Sequence, residues 1–308
     1  MENDILLSII IVNYNGRHFL ADCLESIATH VSCRHEVILV DNASSDGSCD
    51  FMRQRYPRIR LVESPVNTGF TGGNNLGARY AQGRILFLLN NDTKLSSDIS
   101  PILSEFDDDT LGVLGCRLFY GDGRQQWSYG YEHTPARLVF SWLGLGAIAA
   151  IPNWFRRQQM DLDAYGVPHR NVDWVSGAAL LTPKVLWDRL AGLDEGYFMY
   201  IEDVDYCRRA RDAGYRVAYS PGAEVIHYEG AGRPWLGGKA LKYSMQSYIR
   251  YTRKFHSPLA VLLLRVSLVM LMFCRSLGYA LISLFSGSAL WEDKRKAYLE
   301  ASLILCKK

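Results

Sequence analysis

The sequence predicts an α/β fold: a sheet of parallel strands with helices on both faces, followed by a helical C-terminal segment. Three observations carry this. Short β-branched apolar runs each end in polar side chains, segments of helical period lie between them, and the C-terminal part is apolar and basic over helical lengths.

Leu6 to Val12 is the first run, and it ends in Asn13-Tyr14-Asn15-Gly16. Phe19, Leu20, Cys23, Leu24 and Ile27 then recur at helical spacing, and Val37 to Val40 leads into Asp41-Asn42-Ala43-Ser44. This is a βαβ unit. A third strand, Ile59 to Val62, precedes Asn67-Thr68-Gly69-Phe70-Thr71-Gly72-Gly73-Asn74-Asn75 and a short helix to Ala81. The run Ile85 to Leu89 closes on Asn90-Asn91-Asp92-Thr93. Right-handed crossovers bring successive strand ends to one edge, so Asp41, Asn67 and Asp92 share a rim.

Ligands of open α/β sheets sit at that edge. Asp92 is placed either to hold a hard cation or simply to close a polar turn. Mg²⁺ and Mn²⁺ prefer oxygen ligands and bridge carboxylates to phosphates, which makes a metal-bound nucleotide diphosphate the guest that fits. Asp41 can accept the N3–H of a uracil or thymine ring, with Tyr14 beside the same base. Gly69, Gly72 and Gly73 either let backbone approach a phosphate at the N-terminus of the helix that follows or form a plain loop.

Further along, Thr182 fits an N-cap and Pro183 the first helical position. Val204, Cys207 and Ala210 recur at helical spacing up to Gly214, which puts Glu202, Asp203 and Asp205 in one first turn. Two readings of these acids stand: compensation of the helix dipole, or a carboxylate that takes a proton. His227 follows the strand Arg216 to Tyr219 and the Pro221-Gly222 turn, as a structural histidine or a ligand.

Taken together, Ile11 to Gly16, Val40 to Gly47, Asn67 to Phe70 with Gly73-Asn74-Asn75, Leu89 to Thr93 and Glu202-Asp203-Val204-Asp205 resemble the motifs of the family 2 glycosyltransferases, over roughly residues 5 to 230. The bacterial rhamnosyltransferase-like branch, which builds O-antigen and other surface polysaccharides, is the most similar. The resemblance implies the GT-A fold, a Rossmann-like mixed sheet, and sugar transfer from a nucleotide diphosphate donor with inversion. It implies donor contacts from Val12, Tyr14, Asn15, Asp41, Asn67, Gly69, Asn74 and Asn91. Asp203 becomes the base, with Glu202 and Asp205 orienting the acceptor, the base or the helix end. Asp92, Asn90 and His227 become ligands of Mg²⁺ or Mn²⁺. The segment Asp173 to Ala179 resembles the acceptor-lining stretch, where Trp174 is either a sugar platform or a core residue and Gly177 leaves room beside it. One departure stands out: the family's Asp-x-Asp has Asn90 in its first position, which removes one negative charge from the cation site.

Composition fits an ordinary globular protein, with 48% apolar and 21% charged residues, and a net charge of +2 gives no reason to invoke nucleic acid. The N-terminus, Met1-Glu2-Asn3-Asp4, is acidic and has no signal-like pattern, which places the catalytic body in the cytoplasm. Seven cysteines without a C-x-x-C pair fit a reducing compartment as buried apolar residues.

Two apolar stretches remain. Leu138 to Phe155 lacks charge, but a span there would separate Asp92 from Asp203, so it reads as a flap near the acceptor or a core insertion. Leu259 to Phe285 contains Arg265 and Arg275, which favours an in-plane membrane anchor over a span; a packed helical hairpin is the other reading. Before it, Lys239, Lys242, Arg250, Arg253 and Lys254 interleave with Tyr243, Tyr248, Tyr251 and Phe255, a pattern suited to anionic headgroups. The expected division is a catalytic domain over 1–232, with donor half 1–95 and acceptor half 96–232, and an appendage over 233–308. The expected partners are a TDP- or UDP-linked sugar, a glycan or polyprenyl-linked acceptor, and the cytoplasmic face of the inner membrane. The Gln-x-x-Arg-Trp motif of processive synthases is absent, which favours single addition. A sugar-nucleotide pyrophosphorylase and a non-catalytic GT-A scaffold are the competing classes.

Overall fold

The computed structural model describes residues 5–145, 148, 151–228, 237–286 and 289–306. The acidic residues 1–4, part of the 138–155 stretch and most of the boundary expected near Gly230 to Gly238 lie outside them.

The elements run β1 (Leu7–Asn13), α1 (Arg17–His30), β2 (His35–Asp41), α2 (Ser48–Arg55), β3 (Arg60–Glu63), α3 (Gly69–Ala78), β4 (Ile85–Asn90), β5 (Thr93–Leu95), β6 (Leu111–Tyr120) and β7 (Gln125–Gln126). There follow β8 (Tyr129–Gly130), α4 (Pro135–Trp142), β9 (Trp174–Val175), β10 (Ala179–Pro183), α5 (Lys184–Arg189), α6 (Glu202–Asp212) and β11 (Arg216–His227). The last three are α7 (Gly237–Phe255), α8 (Pro258–Ser286) and α9 (Ala289–Cys306).

The main sheet has the order β3-β2-β1-β4-β10-β6-β11-β5, with β7 paired to β6. Strands β3, β2, β1 and β4 are mutually parallel, as the apolar runs and crossovers require. Strand β10 then enters antiparallel between β4 and β6, so the sheet is mixed. Period-two alternation sorts the two faces. Leu7, Ile9 and Ile11 join Leu20, Cys23, Leu24 and Ile27 of α1 in one core. On the other face α3 lies so close that a Cβ on Gly77 would stand 2.5 Å from Ile10 Cγ2, and one on Gly73 would stand 2.6 Å from Val12 Cγ1.

Those contacts correct one expectation. Gly72 and Gly73 lie inside α3, not in a loop ahead of it, and Gly73 serves helix-to-strand packing instead of phosphate approach. Gly69 keeps its special backbone: φ is +74°, and a Cβ there would meet the Phe198 carbonyl oxygen at 2.1 Å. The expected cap at Thr182 is also off by one. Pro183 is the N-cap of α5, while Thr182 ends its role in β10, its hydroxyl donating to Gly112 O at 2.8 Å and meeting the Tyr206 hydroxyl at 2.9 Å.

Two compact units emerge. One comprises the described parts of Met1–Tyr131, Gln158–Phe198 and Glu202–Ala231; the other comprises those of Glu132–Arg157, Met199–Ile201 and Gly232–Lys308. The second unit is helical. Within it, Arg275 of α8 donates to the Trp142 carbonyl and lies over the Trp142 and Tyr298 rings at 5.4 and 5.7 Å. Tyr248 accepts from Arg157 and Tyr251 donates to Glu132, so these two aromatics are buried in the unit and do not face headgroups. Lys242, Arg250, Arg253 and Lys254 are exposed. Helix α8 is the one described helix long and apolar enough to cross a membrane. Its outer side exposes Leu259, Leu263, Val266, Met270, Phe273 and Leu277, while Arg265 and Arg275 are half-buried on the inner side.

All seven cysteines are free. Cys23, Cys116 and Cys207 are buried, and burial pushes each thiol up to about 12, but Cys274 and Cys306 are exposed, contrary to expectation.

Candidate active site

The parallel register sets Asn13 at the end of β1 opposite Asp41 at the end of β2, and Val12 opposite Asn90 of β4. Side chains then lace the three strand ends together. The Asn13 amide donates to Asp41 Oδ2 and to Ser44 Oγ, both at 3.1 Å, and Asn13 Oδ1 accepts from Asn91 Nδ2 at 2.7 Å. Asn91 reaches this position only because Gly16 has no Cβ; one there would stand 2.1 Å from Asn91 Nδ2. Asn13, fully buried, organises the three strand ends, a role its place in an Asn-Tyr-Asn-Gly motif does not reveal.

Asn15 adopts a left-handed φ of 51° and is held from both sides, its N–H donating to Ser44 Oγ at 2.9 Å and its Oδ1 accepting from Ser45 N at 2.7 Å. Tyr14 beside it is 41% exposed. Asp41 is buried, with Oδ1 accepting from Ser44 N at 2.8 Å. Asn67 Oδ1 accepts from Asn42 Nδ2 and from Gly69 N, which ties the β2 rim to the start of α3. Asn74 is buried and its amide donates back to Phe70 O at 2.9 Å, so it supports the helix from within.

Asp92, Asn90 and His227 converge. Strand β5 runs antiparallel to β11 with Thr93 opposite His227, and Tyr228 N donates to Asp92 O at 2.8 Å. His227 Nε2 stands 3.3 Å from Asp92 Oδ1 and 3.2 Å from Asn90 Nδ2. On the other side of the ring, Nδ1 is 3.1 Å from Gln126 Oε1.

The acidic turn of α6 divides by environment. Asp203 is partly accessible; its Oδ2 accepts from Gly177 N at 2.9 Å and its Oδ1 from Val204 N at 2.8 Å. Glu202 is buried, and its Oε2 has no hydrogen-bond partner among the described residues. Burial raises the carboxyls of both above the usual range, and the neighbouring Asp203 charge raises Glu202 further. Asp205 corrects the expectation of an acceptor contact. It is fully buried, accepting from Arg209 Nε at 2.6 Å and from the Tyr197 hydroxyl at 3.2 Å, because it lies one turn before Arg209 on the inward face. Just before the turn, Tyr200 and Ile201 take φ of 71° and 70°, a costly region for a β-branched residue.

Gly177 and Ala178 link the two clusters: Asn90 N donates to Ala178 O at 3.0 Å, and Gly177 N to Asp203. A Cβ on Gly177 would meet Asp203 Cβ at 3.3 Å and Phe70 Cζ at 3.4 Å, so its open side adjoins the carboxylate, not Trp174. Trp174 is 9% exposed with its indole N–H on Tyr131 O, which leaves little face for a sugar. Trp127, 40% exposed, went unremarked in the sequence. It stands between Gln126, on His227, and Ser128, whose carbonyl accepts from Ser176 N at 2.8 Å.

Residues 8–172 match the model for Glycosyl transferase family 2. The chain is 28% identical over 248 residues to the N-acetylglucosaminyl-diphospho-decaprenol L-rhamnosyltransferase of Mycobacterium tuberculosis, covering 73% of this chain and 76% of that protein. It is 26% identical over 230 residues to the low-salt glycan biosynthesis hexosyltransferase Agl10 of Haloferax volcanii, covering 72% of this chain and 66% of that one. Among solved structures, the mannosyltransferase PcManGT from Pyrobaculum calidifontis, in complex with GDP-Man and Mn²⁺, has a TM-score of 0.55 at 16% identity, covering 98% of this chain and 87% of that one. GalNAc-T7 with UDP, GalNAc and Mn²⁺ has a TM-score of 0.57 at 15% identity over 82% of this chain, which spans 48% of the GalNAc-T7 chain. The shared fold is GT-A.

Proposed function

Because the chain belongs to glycosyl transferase family 2, we propose that it moves a sugar, rhamnose first, from a TDP- or UDP-linked donor to a glycan or polyprenyl-linked acceptor in surface-polysaccharide synthesis. Relatives named rhamnosyltransferase support the sugar. The observation that carries the reading is the Gly177-Ala178 link, which joins Asn90 of the Asp92–His227 cluster to Asp203 through one backbone–backbone hydrogen bond and one from the Gly177 N–H to the Asp203 carboxylate.

In a single displacement the acceptor oxygen bonds to the anomeric carbon, and the bond to the diphosphate breaks with its electron pair leaving on the nucleotide. Asp203 takes the hydroxyl proton, and the accessible side of its carboxylate together with its raised proton affinity suits that task. The Asn13, Asp41, Asn67 and Asn91 lattice holds the nucleotide side of the rim, with Val12, Tyr14, Asn15 and Gly69 lining it. Trp127 offers the acceptor the aromatic face that Trp174 withholds.

The residues around Asp92 fit a divalent cation. A carboxylate oxygen and a side-chain amide each lie within 3.3 Å of one imidazole nitrogen, and the Asn90 amide presents its oxygen on a half-turn of its terminal group. Asp92, His227 and Asn90 would hold Mg²⁺ or Mn²⁺, which would supply charge neutralisation for the departing diphosphate. Asp92 is the one negative protein ligand in that set.

The catalytic domain is assigned to 1–232 and the appendage to 233–308, with Glu132–Arg157 and Met199–Ile201 grouping with the appendage. Residues 237–306 hold ten Lys and Arg against three Asp and Glu, a surplus of seven where the whole chain has +2. That surplus and the charge-free outer side of α8 support an in-plane contact with an anionic bilayer, at the cytoplasmic face of the inner membrane. The deciding assay is release of UDP or TDP from candidate donors with and without Mg²⁺ or Mn²⁺. Release of pyrophosphate identifies a pyrophosphorylase, and no release across a full donor panel leaves the scaffold.

A further inference from the structure

The hairpin formed by β6 and β7 has no part in the chemistry above, yet it carries a buried amide to the cation site. Strand β7 pairs with β6 so that Gln126 lies opposite Leu118, and β6 pairs with β11 so that Tyr120 lies opposite His227. The two adjacent glutamines divide the work. Gln125 ties the hairpin together, accepting from Arg117 Nε at 2.9 Å and donating to Leu118 O at 2.8 Å. Gln126, only 5% exposed, sends its Oε1 to His227 Nδ1 at 3.1 Å.

An amide oxygen only accepts, so this contact requires the ring proton on Nδ1, and in the neutral ring that leaves the Nε2 lone pair directed at Asp92 and Asn90. The Asn90 Nδ2–H pointing at Nε2 is consistent with that tautomer. We infer that Gln126 is a positioning residue that fixes the tautomer and ring orientation of His227, preparing Nε2 to ligate the divalent cation. This rests on the reading of Asp92 and His227 as cation ligands. Histidines that bind metals generally hand their other ring N–H to an acceptor, and loss of that acceptor typically costs about 10- to 100-fold in metal affinity.

The test is Mn²⁺ binding by the full chain, followed by loss of the free-ion EPR signal on titration with MnCl₂, alone and with UDP. Gln126→Met keeps the shape and removes the acceptor, and it is expected to weaken Mn²⁺ binding about 10- to 100-fold. Gln126→Glu restores an acceptor, and it is expected to recover most of the affinity even though it buries a charge. A purely structural glutamine would give the opposite order, with Glu the more damaging. Parental affinity in Gln126→Met, or a Gln126→Glu variant as weak as Gln126→Met, overturns the inference. Asp92→Ala and His227→Ala serve as the separate control. If both bind Mn²⁺ like the parent, the cation site itself is wrong, and the inference goes with it.

Discussion

Replacing Asp203 with Asn keeps the side chain's shape and removes its capacity to take a proton. Of the three acids in the first turn of α6, Asp203 alone is partly accessible; Glu202 and Asp205 are buried. A general base contributes about 10²- to 10⁴-fold, so turnover should fall by roughly 10² or more, or about 2.7 kcal/mol of barrier. The structural cost is smaller and of a different kind. Asp203 accepts from two backbone N–H groups on different oxygens, Gly177 N on Oδ2 and Val204 N on Oδ1, and Asn keeps an oxygen in only one of those places. The stranded N–H costs about 1–3 kcal/mol, offset by removing a half-buried charge beside Glu202. The melting temperature should therefore move by only a few degrees, at about 2–4 °C per kcal/mol for a domain of this size. The assay pairs initial rates of nucleoside diphosphate release with calorimetric binding of the nucleotide and Mn²⁺. Turnover within about threefold of the parent, in a variant that still binds nucleotide, would refute the assignment of Asp203 as the base.

Gly73→Ala should destabilise by about 1–3 kcal/mol in urea denaturation, because its Cβ would enter the 2.6 Å gap to Val12 Cγ1. Arg209→Met leaves Asp205 charged and fully buried without its ion partner, at a cost of about 3–5 kcal/mol, and adding Asp205→Leu should recover much of it; retained stability in the single variant would show that the pair contributes little. For pH dependence, Glu202 and Asp203 have raised folded-state pKa values, so the folded chain binds more protons than the unfolded one. The associated stability is complete below the ordinary carboxylate range and is lost as pH rises through the raised values; denaturation midpoints should show this decline in the parent and a weaker one in Glu202→Gln. Asp at both Val266 and Phe273 should abolish co-flotation with anionic vesicles while leaving helix content intact, since both residues are exposed on the outer side of α8; unchanged flotation would remove this face from the membrane reading.

Local signals in the sequence were enough to place the strand ends, because a buried parallel strand needs an unbroken apolar run and the residue after it needs polar partners. Asp41, Asn67 and Asp92 were placed on that ground alone, and β4 was legible from its run; β11 was legible only in its first half, because it continues through Pro221-Gly222, where a turn was expected, with a register shift between Ser220 and Glu224. The motif order identified the family. Other features depended on contacts between residues far apart in the chain. Asp205 has Arg209 four positions on, a local pairing, but which of the two acids is buried is decided by the packing of α6, which turns Asp205 inward and leaves Asp203 beside Gly177. Gly73 read as loop because glycine is punctuation in a sequence, whereas here it is the gap through which a helix touches a strand. Trp174 and Trp127 could not be ranked until burial was known. Gln126 carries no signal at all in a polar hairpin, and its meaning comes from two strand pairings that set it behind a histidine 101 positions away. Apolar pattern is a one-dimensional property and so determines which segments become strands and helices; which side chains meet at a site is set by register and packing, which exist only in three dimensions.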